Sequence, residues 1–239
     1  IADMVRQSEA KVLIVSADLA PLATAIAEQA PSISKILIID GALPHEDSSI
    51  HSAPVEMLEA LIEDADEDVV WGEFDEKTPS GLCFTSGTTG APKGVTYTHR
   101  SGYLHTMRQL QADVMGVTST DSILTVVPMF HANAWGLTFS CPATGANMVM
   151  PGAQMDGASI YELLDTEKVT ITAAVPTVWL MLLTHLQQND LKLPHLQKVI
   201  IGGSAVPEKI LRAFEEDYEV DVVHAWGMTE TSPLGTLGT

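Results

Sequence analysis

The segment Phe84-Thr85-Ser86-Gly87-Thr88-Thr89-Gly90-Ala91-Pro92-Lys93-Gly94-Val95 brings together three glycines, four hydroxyl side chains and a lysine. Glycine lets a backbone turn sharply and approach an anion closely. Successive N–H groups in such a turn form an anion nest. Thr85, Ser86, Thr88 and Thr89 add hydroxyl donors, and Lys93 adds a mobile positive charge. The chemistry is phosphate binding, suited to the β- and γ-phosphates of a nucleotide. It is not a Walker A loop, which needs Gly before its Lys and Ser or Thr after it. Pro92 and Gly94 hold those places here, and the following Val95–Thr98 reads as a strand, which speaks against an ordinary P-loop ATPase. A bare glycine-rich run is often only a flexible turn; the length, the strand-like flanks and the lysine make this one more specific.

Three later segments carry further candidates. Val127-Pro128-Met129-Phe130-His131-Ala132-Asn133-Ala134-Trp135 holds one imidazole and one indole in an apolar run. Taken alone, His131 reads as a core histidine and Trp135 equally as a core aromatic. Ile201-Gly202-Gly203-Ser204-Ala205-Val206-Pro207 reads as a common strand-to-helix turn. In His224-Ala225-Trp226-Gly227-Met228-Thr229-Glu230 the Thr-Glu pair, alone, is a helix start with an acidic first turn.

In this order and spacing, the segments resemble the motifs of the adenylate-forming superfamily: acyl-CoA synthetases, luciferase-like enzymes and peptide-synthetase adenylation domains. The resemblance runs across essentially the whole chain and is nearest to fatty-acyl-CoA synthetases. It also extends, through Trp135 and Trp226, to ligases that act on the short thioether acid 3-methylmercaptopropionate. It implies that Thr85, Ser86, Gly87, Thr88, Thr89 and Gly90 bind ATP, with Lys93 on its phosphates. Gly202, Gly203, Ser204 and Ala205 would pass along the adenine and the acyl-pocket wall. Trp226 stands where relatives usually have Tyr, and either ring can stack on adenine. Gly227, Met228 and Thr229 would complete the nucleotide site, with Thr229 on the α-phosphate. Glu230 would hold Mg²⁺ through oxygen ligands. His131 would orient the substrate carboxylate or a phosphate oxygen. Trp135 would gate the acyl pocket, with Gly203 and Pro233 beside it. Amino-acid-activating relatives carry Phe-Asp where this chain has Phe130-His131, and that departure argues against an amino acid substrate.

The activity so implied is an AMP-forming acid–thiol ligase. ATP and a carboxylic acid, expected to be a medium- or long-chain fatty acid, give an acyl-adenylate; coenzyme A then takes the acyl group as a thioester. The alternatives are a 3-methylmercaptopropionate ligase and a nucleotide-binding module without turnover. The resemblance also places the lid domain and the earliest part of the N-terminal domain outside this chain, so the 239 residues alone are expected not to complete the reaction. A homodimer is expected from relatives only.

The elements that must position these residues alternate between strand-like and helix-like stretches. Lys11–Ser16 and Lys35–Asp40 read as strands joined by a helix over Leu19–Gln29, with Asp18 as its N-cap and Pro21 in its first turn. Such βαβ units predict a mostly parallel α/β fold with sheets flanked by helices, part of the large N-terminal domain of an adenylate-forming enzyme. Val55, Leu58, Leu61 and Ile62 recur at helical spacing. Further helices are expected near 100–115, after Asn133, and over 157–167, 177–188 and 207–217; strands over 123–127, 146–150, 169–174, 198–201 and 220–225. The acidic stretch 63–79 reads as a linker. Residues 1–78 would then be part of a first α/β lobe and 79–239 the nucleotide- and acyl-binding lobe.

Composition narrows the partners. Twelve Lys and Arg against 31 Asp and Glu give a net charge of −19, which repels nucleic acid and anionic membranes. The two cysteines, Cys83 and Cys141, are too few for a disulfide framework and read as free thiols of a reducing, cytoplasmic compartment. Residues 122–155 contain no charged side chain, but Pro128, Gly136, Pro142, Gly145 and Pro151 interrupt them, so they read as core beside a ligand site and not as a membrane span.

Overall fold

A computed structural model of the chain describes residues 1–43, 53–66, 68–70, 72–85 and 90–238. The expectations placed on Ser86, Gly87, Thr88 and Thr89 lie outside the described residues. Two compact units are present, Ile1–Asp75 with Phe84–Gly94 and Glu76–Cys83 with Val95–Thr239.

The smaller unit holds a parallel three-stranded sheet, β1 (Val12–Val15), β2 (Lys35–Ile38) and β3 (Val55–Met57), in that order. The helix Ala20–Gln29 buries Ala20, Ala23 and Ala27, spaced three and four apart, against Ile36 and Ile38. Asp18 does not cap it. A 3₁₀ turn, Ala17–Leu19, precedes the helix, and the Asp18 carboxylate accepts from the Ser16 hydroxyl instead, at 2.5 Å. The stripe beginning at Val55 is also different: Val55–Met57 pairs with β2, and the helix is only Leu58–Glu63. A short apolar run satisfies either period, and here pairing with a neighbour decided it.

A ribbon of β4 (Pro79–Thr85) and β5 (Lys93–Thr98) follows. In the larger unit, Thr98 caps the helix His99–Gln109 reciprocally with Ser101. A six-stranded sheet is built from β6 (Ser122–Thr125), β7 (Asn147–Val149), β8 (Ile171–Ala174), β9 (Lys198–Ile201), β10 (Asp221–Gly227) and β11 (Leu234–Gly238). Its order is β11-β10-β9-β8-β6-β7, parallel except for β11, an antiparallel edge that the sequence reading did not foresee. Alternate residues serve opposite faces, as a doubly covered sheet requires. Val199, Ile201 and Val222 join one core with Trp179, Leu182 and Phe214, while Ile200, Val223 and Ala225 join another with Met115, Leu137 and Cys141. Trp179 and Phe214 meet edge to face, 5.7 Å between centroids. The helices Gly157–Thr166 and Pro176–Asn189 match their expected spans closely. The expected 207–217 helix is Glu208–Arg212 followed by a wider π turn, Ala213–Asp217. The expected helix near 100–115 stops at Gln109.

The largest departure lies after Phe130. Ala132, Asn133, Ala134 and Trp135 all have positive φ, between 46° and 58°, so a left-handed turn precedes the helix expected after Asn133. The regular helix starts only at Leu137, after Gly136 with φ 87°. Among the described residues, no helix is long and apolar enough to cross a membrane.

Candidate active site

Parallel strands deliver the residues that follow them to one edge of a sheet, and ligand sites of such sheets form there. In the larger unit the loop after β6 supplies His131, Ala132 and Trp135, the turn after β9 supplies Gly202 and Gly203, and the end of β10 supplies Trp226–Thr229. With Met115, Ala225, Pro233 and Leu234 they line a cleft of about 190 Å³. The lining combines apolar side chains, Met115, Trp135 and Leu234 among them, with the His131 imidazole and Thr229.

Of the residues singled out from sequence, His131, Trp135, Gly202, Gly203, Trp226, Gly227, Met228, Thr229 and Pro233 line this cleft. Ser204, Ala205 and Glu230 are exposed and adjoin it in sequence without being part of the lining. Thr85 ends β4, Gly90 has φ 143° with open space around it, and Lys93 opens β5 with an exposed side chain; all three belong to the smaller unit.

Close packing explains Gly202. A Cβ there would stand 2.9 Å from the Ala225 carbonyl oxygen and 3.1 Å from the Trp135 indole, so the ring lies directly against the glycine backbone. Trp226 is about half exposed, and its ring lies over Gly235 of β11. His131 is exposed, with its ring tilted against Phe130 at 4.6 Å.

Sequence reasoning missed the layer behind the cleft. His105 and Gln109 stand one turn apart on the helix His99–Gln109 and are buried. The Gln109 amide donates to the Trp135 carbonyl at 2.6 Å, and the Leu234 N–H donates to His105 Nε2 at 3.1 Å. That bond requires a neutral acceptor nitrogen, and burial pushes the His105 imidazole down to about 4. Gly136 is needed beside them, since a Cβ would come within 2.8–2.9 Å of both side chains. The sequence offered little signal, since the two sit at helical spacing i, i+4 within a helix that is polar through most of its length. Cys141 is a buried thiol, pushed up to about 11 by burial, and Cys83 is a half-buried one; both are free.

Among the described residues, no cluster of three or more His, Cys, Asp or Glu could hold a metal unaided. A single carboxylate such as Glu230 suits Mg²⁺ that keeps water and phosphate oxygens as its other ligands.

The profile described as "AMP-binding enzyme" matches residues 1–239. The 3-methylmercaptopropionyl-CoA ligase of Ruegeria lacuscaerulensis is 42% identical over 234 residues, 98% of this chain and 43% of that protein. The medium-chain-fatty-acid–CoA ligase of Ectopseudomonas oleovorans is 40% identical over 239 residues, 100% of this chain and 43% of that protein. The crystal structure of the anthranilate CoA ligase AuaEII in complex with anthranoyl-AMP superposes with a TM-score of 0.86 at 23% identity, over 99% of this chain and 44% of that one. The chain thus spans a little over two fifths of the length of these relatives, with their fold. It belongs to the AMP-binding enzyme family.

Proposed function

We propose that a protein of the relatives' full length containing this chain is an AMP-forming acid–thiol ligase. In the first step a carboxylate oxygen attacks the α-phosphorus of ATP, the bond to the bridging oxygen breaks, and pyrophosphate leaves. In the second step the thiol of coenzyme A attacks the acyl carbon, the bond to the adenylate oxygen breaks, and AMP leaves with the thiol proton released. The observation that carries this reading is the cleft itself, which combines apolar lining side chains with His131 and Thr229 at the carboxyl edge of a parallel sheet.

Within this reading His131 orients the acid's carboxylate, Thr229 donates to the α-phosphate, Trp226 stacks on the adenine, and Trp135 borders the acyl group. Lys93 is assigned to the phosphates from its motif alone. Positioning and electrostatic stabilisation of phosphate oxygens are the main contributions. Mg²⁺ held by Glu230 would neutralise phosphate charge.

Two acid classes fit the relatives, medium- or long-chain fatty acids and 3-methylmercaptopropionate. The indole of Trp135, in the cleft lining and against Gly202, takes up room there, which supports the short acid. The test is a panel of straight-chain acids and 3-methylmercaptopropionate with ATP, Mg²⁺ and coenzyme A. Acid-dependent release of AMP and pyrophosphate is expected. ADP and phosphate as products would overturn the ligase reading, and a rate that climbs steadily with chain length would overturn the short-acid preference.

A further inference from the structure

The turn that carries Thr229 and Glu230 is short. Thr229–Thr231 form a single 3₁₀ turn, tied internally by the Thr231 hydroxyl to the Met228 carbonyl at 2.9 Å. The Thr229 carbonyl accepts only a long bond from within the turn, from the Ser232 N–H at 3.3 Å. Its close partner comes from 132 residues earlier. The Tyr97 hydroxyl on β5 donates to it at 2.5 Å. Tyr97 is buried with 7% of its surface exposed, and its backbone carbonyl is within reach of the Ser80 hydroxyl across the ribbon, at 3.4 Å. Tyr97 is not among the described residues that line the cleft, and its hydroxyl reaches the Thr229 carbonyl.

We propose that Tyr97 is a positioning residue for the adenylate-forming step, fixing the Thr229–Glu230 turn through the Thr229 carbonyl. Two properties fit it for this role. The phenol is rigid, with two side-chain torsions, and its ring is held on a strand. It also stays a donor throughout any working pH range, because burial, with Cys83 and Glu230 nearby, pushes it up to about 12. The bond joins the strand that leaves the glycine-rich segment to the turn proposed to meet the α-phosphate. A shift of the turn by a fraction of an ångström changes the alignment of Thr229 while leaving the acid side of the cleft intact.

The proposal rests on the ligase reading above, and the experiment separates the two. Acid-dependent ATP–pyrophosphate exchange is measured in the full-length enzyme and its Tyr97→Phe variant, with thermal unfolding of both. The variant keeps the ring and loses only the donor. The expected result is a kcat for exchange lowered about five- to tenfold, the effect of one hydrogen bond on a rate. The KM for the acid is expected to stay within about twofold, since uniform binding of that substrate is untouched. Unchanged exchange in the variant of an active parent would overturn this proposal alone. A variant that does not fold, or whose acid KM, kcat and unfolding temperature all deteriorate together, would assign the bond to stability and overturn it also. A parent without acid-dependent exchange would overturn both readings.

Discussion

Trp135 and Gly202 form a contact in which one partner exists because the other is large. The indole is part of the cleft lining, and a truncated side chain would enlarge the cleft. Trp135→Ala is expected to shift the acyl-length optimum of the full-length enzyme upward while changing the KM for ATP less than about threefold. Competition between short and long acids, followed by AMP release, reads this directly; an unchanged length profile would remove Trp135 from specificity. His131 stands differently. It is exposed at the cleft, so the plain reading of a core histidine does not apply to it, whereas it does apply to His105. The sequence could not sort the two, because burial of a histidine is decided by what packs over it from other elements.

At the level of elements, the left-handed turn Ala132–Trp135 and its anchors have the clearest energetic consequences. Gly136 combines φ 87° with side chains 2.8–2.9 Å from where a methyl would sit. Gly136→Ala is therefore expected to destabilise the fold by about 2–4 kcal/mol, from left-handed strain plus overpacking. A denaturant midpoint with unchanged slope would measure it. His105 adds a pH signature. Its imidazole is held to about 4, below the unfolded value of about 6.5. Between these values the unfolded chain binds the extra proton, so this contribution is complete above the unfolded value and is lost as pH falls toward 4. The urea midpoint of the wild type should fall more steeply than that of His105→Gln over this window, and equal slopes would refute the assignment. The strands β6 to β10 were legible in sequence because runs buried on both faces are continuously apolar. The turn was not, since its φ values follow from Gly136 and the Gln109 bond and not from helical spacing. Likewise β11 is a short Gly- and Thr-containing edge with no alternating pattern to announce it. The motif residues were legible by order, but the gathering of His131, Trp135, Gly202, Gly203 and Trp226–Thr229 around one cleft follows from strand order, which no single segment encodes.

For the whole chain, the two units differ in what they bury. The smaller unit relies on Ala20, Ala23, Ala27 and Ala30 with a few isoleucines, and β1 leaves Val12 and Ile14 exposed. The larger encloses Trp179, Phe214, Leu182 and Leu186 with both faces of its sheet covered. Apolar area buried per residue sets local stability, so amides of β8 and β9 should exchange at least about tenfold more slowly than those of β1 and β2 in this chain. Hydrogen-exchange mass spectrometry would show it, and equal protection would indicate cooperative unfolding of the two units. The net charge of −19 adds a repulsion toward other anions that salt would weaken.

The missing side chain at position 202 also sets a rule that other sequences can be asked to obey. The space of the atoms absent from Gly202 is taken by the Ala225 carbonyl oxygen and the outer edge of the Trp135 ring, so three groups share one fixed volume. A homologue bearing Ala or Ser at the first site should carry something smaller than Trp at the second. It would also need the Ala225 backbone to retreat, because that carbonyl oxygen lies 2.9 Å from where the new Cβ would sit.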